Sequence, residues 1–503
     1  MACNTIREIL LQTEAKFGDK DAIRYKVGKD KIESKTYSDL RHDSEHFSGA
    51  LKRMEMQGKH VAIIGMTSYE WIVAYLGTVN CSSVAVPLDV ALPPQEICDL
   101  INRADVSVLV YDELRADVAA MAKEACPALS KIISMQKPER EGEILSMKQL
   151  LAESENGFDA WANPEELCTI MFTSGTTGKS KGVMLTQRNL AENATCLDMK
   201  IPSRTVILSV LPIHHAYCLS MDILKGISLG SIICINDSPM RMAKNIHLFG
   251  PDMILMVPMM IETFAKKLED ASSLPPELVK KQVFGDRLHT ICSGGAYLNP
   301  AWITLFEKFG ITILQGYGMT ECAPVISTNL EWNRKPGSVG RLMPNCTAKV
   351  VDEEIWVQGS SVMQGYYKMP EETKEALTED GWLRTGDLGY VDEDHFIFLT
   401  GRKKNLIITP NGENVSPEEI ENALSKHRLV QEVLVREAEG VIEAEIFPDS
   451  EYAAKAGISD VKAGLKEIVD AYNKEAVGYK KVVSLKVREK EFEKTAARKI
   501  KRF

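Results

Sequence analysis

The residues Thr173-Ser174-Gly175-Thr176-Thr177-Gly178-Lys179-Ser180-Lys181-Gly182 follow directly on the apolar run Cys168 to Phe172. Small residues let a backbone close around phosphate groups, hydroxyls donate hydrogen bonds to them, and lysine supplies fixed positive charge. The segment is not a Walker A loop, because that motif needs Gly where Thr173 stands. The plain alternative is a flexible Ser/Thr/Gly surface loop. A second pattern, Gly226-Ile227-Ser228-Leu229-Gly230, has the G-x-S-x-G form of a serine nucleophile elbow. Such an elbow must follow a strand and open a helix, whereas this one follows a helical stretch and precedes the apolar run Ile232 to Ile235. Ser228 therefore reads as a helix-end residue.

Further segments follow in order: Leu211-Pro212-Ile213-His214-His215, Ser293-Gly294-Gly295-Ala296, Gly316-Tyr317-Gly318-Met319-Thr320-Glu321, Asp380 to Asp387, Gly401-Arg402-Lys403-Lys404, and Lys494 to Lys499. With the Thr173 to Gly182 loop, these resemble the motifs of the adenylate-forming superfamily: acyl-CoA synthetases, peptide-synthetase adenylation domains and luciferases. The resemblance runs across nearly the whole chain and implies MgATP-dependent conversion of a carboxylic acid to an acyl-adenylate, then transfer to a thiol. A carboxylate is a poor electrophile, so it must attack the α-phosphate of ATP. The enzyme has to bring anions together and stabilise added negative charge.

The resemblance assigns roles accordingly. Thr173, Ser174, Gly175, Thr176, Thr177 and Gly178 would form the phosphate loop, with Lys181 on the outer phosphates and Thr320 on the α-phosphate. Glu321, with Thr173, would bind Mg²⁺, a cation that prefers oxygen ligands. Gly294, Gly295 and Ala296 would pack against adenine and the acyl group, beside Gly316, Tyr317 and Gly318, with the Tyr317 ring stacked on the base. Asp387 would accept both ribose hydroxyls and Arg402 would reach the ribose or phosphate side. His215 would gate the substrate, Lys404 would be the interdomain hinge with Gly401 giving backbone freedom beside it, and Lys499 would bridge the carboxylate and α-phosphate. Two departures stand out: Ser180 replaces a common Pro, and Arg498 replaces the Gly that often precedes the catalytic lysine. Gly permits backbone angles that Arg resists, so the loop either takes an ordinary conformation or alters the adenylation geometry.

The elements that must carry these residues are legible from periodicity. Val61 to Gly65, a helical pattern from Tyr69 to Asn80, and Val84 to Leu88 form a βαβ unit. Similar apolar runs recur at Val106 to Tyr111, Thr205 to Leu211, Ser231 to Ile235 and Met253 to Val257. Runs this apolar suit strands buried on both faces of a parallel sheet. After about Pro344 the pattern shifts to short alternating strands at Ala348 to Asp352, Glu354 to Val357, Asp387 to Asp392 and His395 to Leu399. A capped helix is expected at Ser416-Pro417-Glu418-Glu419, then strands at Glu432 to Val435, Val441 to Phe447 and Val482 to Val487 around a helix near Asp460 to Tyr472. The fold expected is a large α/β N-terminal domain with βαβ-type parallel sheets, residues 1–401, plus a small mobile α+β C-terminal domain, residues 402–503.

The chain's 503 residues exceed what one core usually organises. A net charge of -10 argues against a general nucleic-acid or anionic-membrane binder, though a local basic site stays open. The 11 cysteines show no C-x-x-C pair, which reads as reduced thiols in a cytoplasm. Met1 to Lys20 alternates charged and apolar residues without the continuous apolar core of a signal peptide, so none is expected, and no stretch approaches the roughly 20 apolar residues of a membrane span. Among acyl-activating enzymes, Gly401 to Ile407 and Asn411 to Glu419 look most like long-chain fatty acyl-CoA synthetases, with ATP and coenzyme A as substrates. The alternatives are an enzyme that loads a separate acyl carrier protein and a catalytically weakened acyl or nucleotide binder, the latter suggested by Arg498. Met256 to Met260 and Cys218 to Met221 are candidate acyl-pocket lining, and equally plain core.

Overall fold

The computed structural model describes residues 2–29, 31–158, 163–173, 180–271, 273–409, 412–494 and 500–502. The expected βαβ unit forms as the strand His60–Ile64, the helix Tyr69–Val79 and the strand Val84–Leu88, with Val61 opposite Ala85 and Ile63 opposite Pro87 in parallel register. Ser68 starts the helix by accepting a hydrogen bond from the Trp71 amide. Val61 and Ile63 enter one buried cluster while Ala62 and Ile64 enter another on the opposite face. Both faces of the strand are thus covered, which is why it reads as a continuous apolar run.

Among the described residues, an eight-stranded sheet runs in the order Gly365–Tyr366, Lys181–Thr186, Leu167–Thr173, Val84–Leu88, His60–Ile64, Val106–Tyr111, Lys131–Ser134 and Ile144–Ser146. A nine-stranded sheet has at its centre the parallel strands Thr312–Gly318, Thr290–Ser293, Met253–Met256, Val206–Ser209 and Ile232–Ile235. Trp71 and Tyr75 from the first sheet's helix share one cluster with Leu208, Ile233, Ile254 and Ile291 of the second. Burying each such side chain contributes about 1.5–3 kcal/mol, so the two sheets are held face to face by their shared helices.

Next come the antiparallel strands Cys346–Val351, Glu354–Gly359, Leu383–Val391 and Ile397–Arg402. The smaller C-terminal domain has the helices Pro417–Leu424 and Val461–Glu475 and the strands Val430–Ala438, Val441–Pro448 and Ser484–Val487 around its own core, from Ile407 to Val482. The expected α/β plus α+β fold is therefore observed. Two local expectations change. Ser416 does not cap its helix with its side chain; the hydroxyl donates to the Thr400 carbonyl at 2.8 Å. Gly401 lies within a strand, paired with Leu388, and a Cβ there would meet Ser416 Oγ at 1.9 Å. Its glycine is explained by this close approach rather than by hinge freedom.

Ser228 ends the short helix Lys225–Ser228 and donates to the Lys225 carbonyl at 2.7 Å, as its reading as a helix-end residue requires. No helix among the described residues is long and apolar enough to cross a membrane. The eleven cysteines are free thiols.

The segment Cys218–Leu224 is a π-helix, an uncommon form. Within it Asp222 is fully buried and accepts a hydrogen bond from Ser209 Oγ at 2.9 Å. Burial pushes its carboxyl up to about 7 from 3.8. An aspartate with a raised folded pKa costs stability because the unfolded chain ionises it at a pH where the folded chain keeps it neutral. The penalty is absent below 3.8, grows as pH rises toward 7, and then stays constant. Asp222→Asn should therefore melt progressively higher relative to wild type between pH 4 and 7 and show a constant difference above. A melting-temperature difference that is flat across that window would show that Asp222 titrates normally.

Candidate active site

In open α/β sheets, ligands bind beyond the carboxyl ends of the strands. Thr173, Ser293 and Gly318 all sit there, at the ends of the strands Leu167–Thr173, Thr290–Ser293 and Thr312–Gly318. Thr173 is the cross-strand partner of Lys181, and its hydroxyl donates to the Lys181 carbonyl at 3.5 Å. Ser174, Gly175, Thr176, Thr177 and Gly178 lie outside the described residues, as do Arg498 and Lys499.

A first group gathers around Tyr366, which the sequence reading did not single out. The Lys181 ammonium lies 4.8 Å from the Tyr366 ring centroid, and the Tyr366 hydroxyl donates to Glu321 Oε1 at 2.9 Å. Glu321 is buried on the one-turn helix Thr320–Cys322. That turn is pinned from the helix Gln187–Thr195, whose Thr186–Asn189 capping box sets its start. Asn193 Nδ2 donates to the Val325 carbonyl at 2.8 Å and to Ser361 Oγ at 2.9 Å, and Asn193 Oδ1 accepts from the Val325 amide. Gly318 is required because a Cβ would lie 1.9 Å from the Pro324 carbonyl oxygen, which already accepts the Met319 amide.

Tyr317, Asp387 and Arg402 form the second group. The Tyr317 hydroxyl donates to Asp387 Oδ2 at 2.6 Å, and Arg402 Nε lies 2.6 Å from Asp387 Oδ1. Burial, reinforced by Asp387, pushes the Tyr317 phenol well above its ordinary value. The Asp387 amide in turn donates to Thr385 Oγ1. Beside them, Lys403 Nζ lies 2.9 Å from Glu354, whose other oxygen accepts the Gly386 amide. Burial pushes the Glu354 carboxyl up, but Lys403 and the Gly386 amide hold it below its usual range. Lys404 follows directly in the turn Lys403–Asn405, and Asn405 hydrogen-bonds Glu418 of the C-terminal domain.

Of the two histidines, His214 is the buried one, with its Nε2 3.5 Å from Asp89 at the end of the opposite sheet's strand. Burial, then the adjacent His215, lowers the His214 imidazole's proton affinity. His215 is exposed, with its ring 4.4 Å from that of His214. Gly294 packs on the Tyr217 ring, 3.2 Å from where its Cβ would be. Met256 ends its strand and Met260 lies in the first turn of the helix Pro258–Asp270, while Cys218 and Leu219 are buried in the π-helix. Among the described residues no cluster of three or more His, Cys, Asp or Glu could hold a metal alone. One buried carboxylate, Glu321, fits Mg²⁺ in the form it takes beside phosphates, where substrate and water complete the oxygen shell.

The fold is shared with enzymes that form acyl-adenylates. The crystal structure of ATP-bound MatB from Rhodopseudomonas palustris superposes with a TM-score of 0.81 at 25% identity, covering 98% of this chain and 96% of that one. The AMP-binding enzyme family pattern matches residues 10–367, and that of the AMP-binding enzyme C-terminal domain matches residues 404–503. The long-chain-fatty-acid–CoA ligase of Bacillus subtilis (strain 168) is 29% identical over 548 aligned positions, 99% of this chain and 93% of that protein. The sulfoacetate–CoA ligase of Cupriavidus necator is 32% identical over 406, covering 74% of this chain and 75% of that protein. The chain belongs to the AMP-binding enzyme family, as an AMP-forming acid–thiol ligase.

The Tyr317–Asp387–Arg402 group makes a quantitative expectation. Asp387→Ala strips a buried phenol of its acceptor and should destabilise the fold by about 1–3 kcal/mol, while weakening AMP binding at least tenfold. Arg402→Ala, whose side chain is 42% exposed, should lower the melting temperature less. Equal melting temperatures for Asp387→Ala and wild type would remove Asp387 from this structural role.

Proposed function

We propose that the enzyme activates a medium- or long-chain fatty acid and delivers it to coenzyme A. A carboxylate oxygen attacks the α-phosphorus of ATP and the bond to pyrophosphate breaks. The coenzyme A sulfur then attacks the acyl carbon and AMP leaves. The observation that carries the adenylating half is the chain of contacts from Thr173 to Lys181, Lys181 to Tyr366 and Tyr366 to Glu321 at the strand ends, with Glu321 four residues along the chain from Tyr317. The acyl class rests on the end-to-end similarity to the Bacillus ligase and on the apolar surroundings of Met256 and Cys218.

In this reading the Ser174 to Gly178 loop and Lys181 hold the outer phosphates, and Thr320 bonds the α-phosphate. Glu321 and Thr173 would hold Mg²⁺, which when bound neutralises phosphate charge. Tyr317, Gly316 and Gly318, with Gly294, Gly295 and Ala296, enclose the adenine, and Asp387 with Arg402 takes the ribose. His215 stands at the acyl entrance. Residues 402–503 turn about Lys404, presenting Lys499 for adenylation only. A cytoplasmic setting fits the free thiols. The competing outcomes are a separate acyl carrier protein as acceptor and a binder without turnover.

Pyrophosphate release should be highest with acids of octanoate to palmitate length, followed by acyl-CoA formation with free coenzyme A. A preference for sulfoacetate, acetate or benzoates would replace the fatty-acid reading, and pyrophosphate release without acyl-CoA would favour a carrier protein. Lys499→Ala should lose most acyl-adenylate formation yet still convert supplied acyl-adenylate and coenzyme A to thioester. Equal damage to both half-reactions would overturn the adenylation-only role.

A further inference from the structure

Tyr366 is 6% exposed and lies on the two-residue edge strand Gly365–Tyr366. Its backbone is fixed twice: Tyr366 is the register partner of Val183 and its amide donates to Thr373 Oγ1 at 2.9 Å. Tyr37, packed in the core, bonds the neutral Ser231 carbonyl. Tyr366 touches two opposite charges: the Lys181 ammonium at 4.8 Å from its ring centroid, and the Glu321 carboxylate at its hydroxyl. These arrive from separate elements, the start of the strand Lys181–Thr186 and the turn Thr320–Cys322.

We propose that Tyr366 is a positioning residue: its hydroxyl aims the Glu321 carboxylate, its ring seats the Lys181 ammonium, and its rigid plane spaces the two charges. A long lysine beside a buried carboxylate would otherwise be drawn into an ion pair with it, neutralising the cation meant for phosphate and the anion meant for metal. A phenol satisfies the carboxylate through one donor and leaves its other lone pairs available. The ring face attracts the ammonium without removing its charge. The inference rests on the reading of Glu321 as the metal-side carboxylate and Lys181 as the phosphate-side cation.

The test uses the full-length protein and equilibrium binding. MgCl₂ is titrated calorimetrically into protein mixed with the non-hydrolysable α,β-methylene ATP, AMP binding is measured separately, and melting temperatures report folding. A hydrogen bond to a charged group is the interaction removed in Tyr366→Phe, so half-saturating Mg²⁺ should rise about tenfold or more, with AMP affinity unchanged. Tyr366→Leu, which also removes the ring, should further weaken the triphosphate analogue relative to AMP. If Tyr366→Leu fails to fold, Tyr366→Phe alone decides. Wild-type Mg²⁺ dependence in Tyr366→Phe, or equal weakening of AMP and the analogue, overturns the proposal. Glu321→Gln separates the two failures. If it shifts Mg²⁺ dependence and Tyr366→Phe does not, only the positioning role falls. If Glu321→Gln leaves Mg²⁺ dependence unchanged, the metal-side reading of Glu321 falls and the proposal with it.

Discussion

A carboxylate 3% exposed cannot stay ionised without partners, and Asp387 finds them on two other elements. Tyr317 comes from the nine-stranded sheet, and Arg402 from the strand that leads into the C-terminal domain. One side chain thereby fixes the end of a parallel strand, the corner of the antiparallel sheet, and the exit of the chain toward Lys404. Glu354 repeats the device one residue on, through Lys403. Removing one partner of a buried pair leaves a charge uncompensated, at a cost of about 3–5 kcal/mol in the fully buried case. The half-exposed guanidinium of Arg402 places this pair below that range.

Around this anchor the chain faces a problem set by its chemistry: anions must be held together. The strand ends of both sheets converge there, so the required cation and hydroxyls come from edges and turns rather than from the core. The capping box at Thr186 and the amide of Asn193, which donates to the Cys322 carbonyl at 3.3 Å, show how much scaffold is spent on holding one turn, Thr320–Cys322, in place. Side chains whose rotamers are locked by such neighbours meet a developing charge without reorganising.

The C-terminal domain is attached differently. Its core is its own, and its contacts with the helix Pro258–Asp270 include the ion pairs Lys266–Asp449 at 2.8 Å, Arg428–Glu269 at 3.1 Å and Lys455–Asp270 at 3.4 Å. The Lys455–Asp270 pair is exposed on both sides, where such a pair contributes about 0–1 kcal/mol, while Arg428–Glu269 is half-buried and Lys266 reaches a buried Asp449. An attachment made of side-chain ion pairs rather than of a shared core suits a domain proposed to turn about Lys404.

Much of this was legible in the sequence. Strands buried on both faces, such as Val84–Leu88, announce themselves as unbroken apolar runs, and the family motifs mark Tyr317, Glu321 and Asp387 by type and order. Contacts between distant segments carry no such mark. Nothing local distinguishes Tyr366 from a core tyrosine, because its role depends on Glu321 and Lys181, which lie 45 and 185 positions away. Spacing does not say which ring of the pair His214-His215 turns inward; the structure brings His214 Nε2 to 3.5 Å from Asp89 beyond the opposite sheet's strand and leaves His215 exposed. Gly401 read as freedom and proved to be room for Ser416, and Ser416 read as a helix cap and proved to be bonded to Thr400. The sequence by itself determined the elements, the two-domain order and the chemistry's residue types, because these depend on local periodicity and composition. Tertiary structure alone decided which charges meet, because that depends on distances between segments that no local pattern encodes.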